Sequence, residues 1–413
     1  MRSLSDDGMK GPIKDQNRLN SNTHAQGVGI LLAKKHLKDE QIHMAVPLYG
    51  LIENNQPHLA DFRAAFAEVA DSGQFILGPC VAEFEQQLAE YCGVAHAIGV
   101  GSGTDALMLT LMALGVGPGD EVITSPMSYV HTAGSIARLG AKPVFCDINP
   151  RIYNVAIESL EACITDKTKA IVPVHLYGQM AKMDAIMDLA RDRGIKVLED
   201  GDQAIGARFG ESKAGSMGDA GIFSFFPTKN LAAIGDAGAV VTNDHALAAK
   251  VRKMRVHGLE PGYRVKQLGG NFRIDAIQAK ALSIKLPHLD EQIVRRRELA
   301  DRYNRHLEEL QVSTPVEADR RYHTYNHYTV RVRSGGRDAL MAHLDACGIE
   351  SRVYYPRPLH LLECFAHLGY REGEFPVAEK AAGEVLALPI YPEMTNAQQD
   401  EVVEAVRDYF RAE

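Results

Sequence analysis

Short apolar runs, separated by amphipathic stretches of helical period, dictate what this chain can fold into. Strand-like runs fall at residues 97–100, 121–124, 143–147, 170–174, 196–199, 221–226 and 239–242. Between several of them lie helical patterns, at 104–114, 157–164 and 183–193. Strands bridged by helices of this length pair mostly in parallel, and a parallel sheet is buried on both faces. The expected fold class is therefore α/β, a mostly parallel sheet sandwiched by helices, over residues 44–288. A charged helical stretch at 289–310 then leads into a smaller C-terminal α+β domain, which completes residues 289–413. Its expected elements are a strand at 328–332, a helix at 337–347, a strand at 350–354 and helices at 377–386 and 396–409. Residues 1–43 are polar and lack this patterning apart from one amphipathic patch at 30–37, so they read as a poorly ordered extension.

Composition narrows the class of function. A net charge of −8 without a sustained basic block makes neither nucleic acid nor an anionic membrane an expected partner. Cys80, Cys92, Cys146, Cys163, Cys347 and Cys364 show neither CxxC nor metal-ligand spacing, and read as buried thiols in a reducing compartment. No apolar run is long enough to cross a bilayer, and the N-terminus has no signal-peptide core; a cytoplasmic location is expected.

In an open α/β sheet, ligands bind beyond the carboxyl ends of the strands. The residues expected there are chemically selective. Gly101-Ser102-Gly103-Thr104-Asp105 follows the first run and opens a helix, which offers backbone N–H groups and a favourable dipole to an anion such as phosphate. The Gly99, Gly101, Gly103 spacing is wrong for a dinucleotide fingerprint. Tyr129 follows the second run and suits either ring stacking or core packing. His175 follows the fourth, as a polar group at a site mouth or as a hydrogen-bonded core histidine. Asp200 ends the fifth, where it either caps a loop or holds a proton on a heteroaromatic nitrogen. Lys229, in Phe223-Ser224-Phe225-Phe226-Pro227-Thr228-Lys229-Asn230, follows the sixth. Desolvation there would favour the neutral amine that attacks a carbonyl. A phosphate cradle, a carboxylate, a stacking ring and an amine together fit one ligand, pyridoxal 5'-phosphate carried on Lys229.

With these motifs the chain resembles the DegT/DnrJ/EryC1/StrS sugar aminotransferases, a family of fold type I pyridoxal phosphate enzymes related to aspartate aminotransferase. The resemblance runs from about residue 46 to the C-terminus. Besides the segments above, it rests on Pro173-Val174-His175-Leu176-Tyr177-Gly178-Gln179, Glu199-Asp200-Gly201-Asp202-Gln203, Gly270-Asn271-Phe272-Arg273 and Tyr355-Pro356-Arg357-Pro358-Leu359-His360. It implies a fold type I transferase in which Lys229 carries the cofactor and Asp200 pairs with its ring nitrogen. Gln203 would sit beside the ring hydroxyl and Tyr129 would stack on the ring. Gly103, Thr104 and Ser224 would hold the phosphate, joined by Asn271 from a neighbouring subunit, so a homodimer with shared active sites is implied. Tyr355 and His360 are the implied substrate contacts, and His175, read from its strand-end position, is a third candidate. The implied reaction takes an amino group from L-glutamate to a keto group, at C3 or C4, of a nucleotide-linked keto-deoxy sugar. A keto-cyclitol acceptor and a non-catalytic regulator on the same fold are the alternatives. Family members commonly carry small apolar residues where this chain has Gly201 and Asp202, so an extra charge is expected near the site.

Overall fold

Each crossover in a parallel sheet returns the chain to the same edge, so the crossovers decide which strand ends lie side by side. The computed structural model describes residues 46–333 and 335–412. Its main sheet contains β1 (His96–Val100), β2 (Glu121–Thr124), β3 (Lys142–Phe145), β4 (Thr168–Val172), β5 (Lys196–Asp200), β6 (Ala220–Ser224) and β7 (Gly238–Thr242). Their spatial order is β3-β2-β4-β5-β6-β7-β1. All neighbours pair in parallel except β7, which runs antiparallel to both β6 and β1. The carboxyl ends of β1, β2, β4, β5 and β6 therefore open on one edge.

Helices α1 (Pro79–Cys92), α2 (Gly103–Ala113), α3 (His131–Arg138), α4 (Met183–Arg193), α5 (His245–Met254) and α6 (Ala276–Lys285) cover this sheet. Successive residues of a strand face opposite sides, and the buried residues sort accordingly. Ala97, Ile123, Ile171, Val197, Phe223 and Val241 pack into one core with α1, α4 and α6. Their sequence neighbours Ile98, Val122, Val172, Leu198, Ile222 and Val240 pack into another with α2, α3 and α5. Burial on both faces explains why these strands read as unbroken apolar runs rather than as alternating ones.

The C-terminal part is built on a three-stranded antiparallel sheet of β8 (Val312–Ser313), β9 (Tyr328–Val332) and β10 (Val385–Leu388), with β9 central. Residues of α7 (Leu289–Leu307), α8 (Arg337–Ala346) and α10 (Asn396–Ala412) share its core, with α9 (Pro376–Glu384) leading into β10. Val46 joins that same core and forms an isolated bridge with Ile349, so the described chain begins against the C-terminal core. The described residues form one compact unit.

Several sequence expectations need correction. The expected helix at 377–386 stops at Glu384, because Val385-Leu386-Ala387-Leu388 is wholly buried and pairs with β9. A short apolar run does not reveal whether it is helix or strand. The expected strand at 350–354 is reduced to one bridge between Arg352 and Ala387. The regular strand in the run at 170–174 ends at Val172, since Pro173 has no N–H to donate, and Val174 stays beside β5 through a single bridge to Asp200. The cysteines are unpaired thiols, but only Cys92 and Cys146 are buried; Cys80 and Cys163 are half-buried, and Cys347 and Cys364 are exposed. The expected extension at 1–43 lies outside the described residues. No described helix is long and apolar enough to cross a membrane.

At Gly221 in β6, an added Cβ would land on the backbone of Gly215. Gly221→Ala is expected to lower the unfolding free energy by about 1–3 kcal/mol, the usual penalty of overpacking. A urea titration of the apoprotein checks this as a lower midpoint at unchanged slope.

Candidate active site

Asp200 is the last residue of β5 and is buried. A carboxylate taken out of water needs donors, and two are supplied from the chain nearby. Thr132 Oγ1 donates to Asp200 Oδ2 at 2.8 Å, and the Asp202 N–H donates to Asp200 Oδ1 at 3.3 Å. Thr132 and His131 open α3, just after the β2 loop that carries Tyr129. His131 Nε2 lies 3.5 Å from Asp200 Oδ2 and 3.4 Å from Asp202 Oδ2. Burial opposes the Asp200 charge, yet the His131 and Thr132 partners hold its carboxyl below the usual range. Burial pushes Asp202 up to about 6: Asp200 adds to the rise, and the pull of His131 and Lys229 only partly offsets it. His131 keeps its proton more tightly than an ordinary histidine, because Asp202 and Asp200 outweigh the effect of burial.

Lys229 lies in the loop after β6. That loop is pinned by Phe225 N–H donating to the Ala237 carbonyl, Lys229 N–H to the Phe226 carbonyl, and Asn230 Nδ2 to the Thr324 carbonyl. Burial lowers the Lys229 amine below its ordinary value, against the opposing pull of Asp202 and Asp200. The charge of Lys229 adds to the effect of burial in depressing His327, which approaches from the C-terminal part.

Gly103 begins α2, whose N-cap Ser102 accepts from the Asp105 N–H. A Cβ at Gly103 would fall 2.5 Å from Asp202 Oδ2 and 2.7 Å from Ser224 Cβ. Only glycine lets the ends of β5 and β6 reach the helix N-terminus. Gly201 is under the same constraint, since a Cβ there would lie 2.8 Å from the Phe223 ring and 3.0 Å from the Ile222 carbonyl. Thr104 occupies the first turn of α2 beside Gly103.

Tyr129 is 53% exposed. Its ring centroid lies 5.4 Å from that of His131 and 6.1 Å from that of Tyr355. The Tyr355 hydroxyl accepts from Gln203 Nε2 at 3.1 Å, and Gln203 Oε1 accepts from the Tyr177 N–H at 2.8 Å. Lys229, Asp200, Gly103, Thr104, Ser224, Gln203, Tyr129 and Tyr355 thus gather at the carboxyl edge of the main sheet and the C-terminal segment facing it.

Three expected residues do not join them. His175 is fully buried, with Nε2 at 2.9 Å from Glu199 and Nδ1 accepting from the Ala181 N–H. It is a core histidine and not a group at the site mouth. His360 is also buried; its Nε2 meets Glu379 at 3.1 Å, and Phe145 and Phe375 pack around the ring. Asn271 is exposed on a backbone bridge to Val256. Conversely, the sequence reading overlooked His131, Thr132 and His327. His131 and Thr132 lie two and three residues after Tyr129 at the same strand end, which is a usable signal. His327 had none, since it precedes a strand of the other sheet.

Pyridoxal phosphate fits this donor set. The N–H groups at the start of α2 suit a phosphate, Asp200 is held ionised for a ring nitrogen, and the Lys229 amine is made easier to deprotonate. His131 Nε2 and Asp202 Oδ1 are buried without hydrogen-bond partners, so polar capacity remains at the site.

The model of the DegT/DnrJ/EryC1/StrS aminotransferase family matches residues 58–407. The chain is 49% identical to the "Pleiotropic regulatory protein" of Geobacillus stearothermophilus, over 89% of this chain and 99% of that protein. It is 44% identical to the dTDP-3-amino-3,4,6-trideoxy-alpha-D-glucose transaminase of Micromonospora megalomicea subsp. nigra, over 84% and 94% respectively. Among solved structures, S. venezuelae DesV in complex with a ketimine intermediate superposes with a TM-score of 0.86 at 40% identity, covering 88% of this chain and 98% of that one. Bacillus subtilis NtdA with bound cofactor PMP gives 0.84 at 32% identity, covering 91% and 87%. Matched along most of its length by the family model and by relatives of nearly full coverage, the chain belongs to the DegT/DnrJ/EryC1/StrS aminotransferase family.

Proposed function

We propose that this protein is a pyridoxal-phosphate-dependent aminotransferase that moves an amino group from L-glutamate to the C3 keto group of a nucleotide-linked keto-deoxy sugar. The observation that carries the reading is the meeting, at one sheet edge, of the half-buried Lys229 amine, the ionised Asp200 and the glycine-led N-terminus of α2. The C3 assignment draws support from the relative named as a transaminase for a 3-amino sugar.

When bound, the cofactor supplies a carbonyl that condenses with amines and a ring that takes up electrons from a deprotonated carbon. Gly103, Thr104 and Ser224 would hold its phosphate, and Tyr129 would stack on the ring beside Gln203. Asp200 would keep the ring nitrogen protonated, because an ionised carboxylate stabilises the positive ring. Lys229 would hold the cofactor through its side-chain amine, and Lys229 Nζ, when free, would accept and return a proton at the donor's α-carbon. Burial of Lys229 favours the neutral amine needed for both tasks. Tyr355, bonded to Gln203, would border the acceptor side.

The exposure of Asn271 supports its reaching into the site of a neighbouring subunit, in a homodimer with composite sites. Exposed apolar side chains such as Phe66, Phe75 and Leu268 favour a covered surface. A regulatory role is a second reading, favoured by the name of the relative at 49% identity.

Lys229→Ala should lack the visible absorbance that borohydride abolishes in the parent protein, and its turnover should fall by at least about 10²–10⁴-fold. Retention of full turnover would refute the role of Lys229. With dTDP- and UDP-linked keto sugars and L-glutamate, the product should carry nitrogen at C3 by NMR. Bound cofactor without turnover on any of them would favour the regulator instead. Mixing the inactive Lys229→Ala and Asn271→Ala variants should restore part of the activity through heterodimers; confirmed subunit exchange without recovery would rule out composite sites.

A further inference from the structure

The transamination chemistry leaves His131 and Asp202 without a task. Asp202 is buried and His131 nearly so, and the buried atoms His131 Nε2 and Asp202 Oδ1 have no hydrogen-bond partner. Asp202 brings a second carboxylate beside one that has to stay ionised. Two buried carboxylates this close share a proton unless a cation stands between them. His131 is placed to be that cation. It enters from α3, a different element, and lies within 3.5 Å of both acids.

We propose that His131 and Asp202 are positioning residues that work as one unit, the His131 imidazolium bridging the two carboxylates so that Asp200 stays ionised for the cofactor's ring nitrogen. This rests on the reading of Asp200 given above. The groups facing His131 are Asp202 and Asp200 from the end of β5, Lys229 from the loop after β6, and Tyr129 from its own segment. Lys229 works against the imidazole proton, and the two acids outweigh both Lys229 and burial.

The unit has an asymmetric weakness. Without His131, the two acids face each other with no counter-charge, Asp202 draws on the same proton, and Asp200 is neutral part of the time. Without Asp202, His131 still pairs with Asp200, and the backbone N–H at 202 still donates to Asp200 Oδ1. Without both, Asp200 keeps Thr132 and that N–H. Breaking a buried pair from one side costs more than removing it whole. The double variant should therefore outperform the single histidine variant.

The test uses four proteins, the parent, His131→Ala, Asp202→Ala and the double variant, as full-length apoproteins in EDTA. In histidine NMR titrations, the signal absent from His131→Ala should titrate above an ordinary histidine in the parent and move down in Asp202→Ala. Pyridoxal phosphate affinity should drop by about tenfold or more in His131→Ala and recover by about threefold or more in the double variant, a coupling of the size seen between contacting residues. The absorbance of the bound cofactor should change with pH at a lower value in His131→Ala than in the parent, as its ring proton is lost more readily. His131→Gln, which keeps a donor without the charge, should share the defect.

Equal weakness of His131→Ala and the double variant would overturn the proposal, as would an ordinary titration of His131 in the parent. If His131→Ala folds poorly by circular dichroism, the His131 titration in Asp202→Ala decides alone. Asp200→Asn separates the two readings. If it leaves affinity and absorbance unchanged, the role of Asp200 fails; if it alters them while the other variants are additive, only the present inference falls.

Discussion

A negative charge buried at the carboxyl end of β5 is the constraint around which the site is arranged. Asp200 is out of reach of bulk water, so its charge survives only through fixed partners. Thr132 and His131 arrive through the β2 loop and the Asp202 N–H through the turn at Gly201. The two-layer packing of the sheet holds these strand ends in register, so the apolar cores set the electrostatics of the site indirectly.

Close approach is the second requirement. Gly103 and Gly201 each occupy a position where a single methyl group would collide with a neighbouring strand end or ring. Their absent side chains let the N-terminus of α2, Ser224 and Asp202 meet in one small volume. An anion at that point would see the positive end of a helix together with Lys229, while Asp202 brings the opposite charge. The balance among these groups is fine, because in a low-dielectric site small displacements change their interactions strongly.

The C-terminal part completes the site by hydrogen bonding rather than by apolar packing alone. Asn230 ties the lysine loop to the Thr324 carbonyl, and Gln203 ties Tyr355 to the Tyr177 backbone. Arg296, buried in α7, donates to the Tyr325 and Ile390 carbonyls and braces the same junction. Movement of the C-terminal segment would therefore be felt at Tyr355 and His327 before it reached Asp200.

The parallel sheet, its crossover helices and the placement of Asp200, Lys229, Tyr129 and Gly103 at strand ends were legible from the sequence, because they follow from periodicity and local turn chemistry. The fate of Val385–Leu388 was not, since a short buried apolar run pairs or coils according to what lies beside it. Nor could the local pattern separate His175, sealed in the core against Glu199, from His131, aimed at two carboxylates. Both histidines follow strands at the same edge. Which way a side chain turns depends on partners some 70 residues away, as between His131 and Asp202, and only the packed tertiary structure brings those partners within a few ångströms.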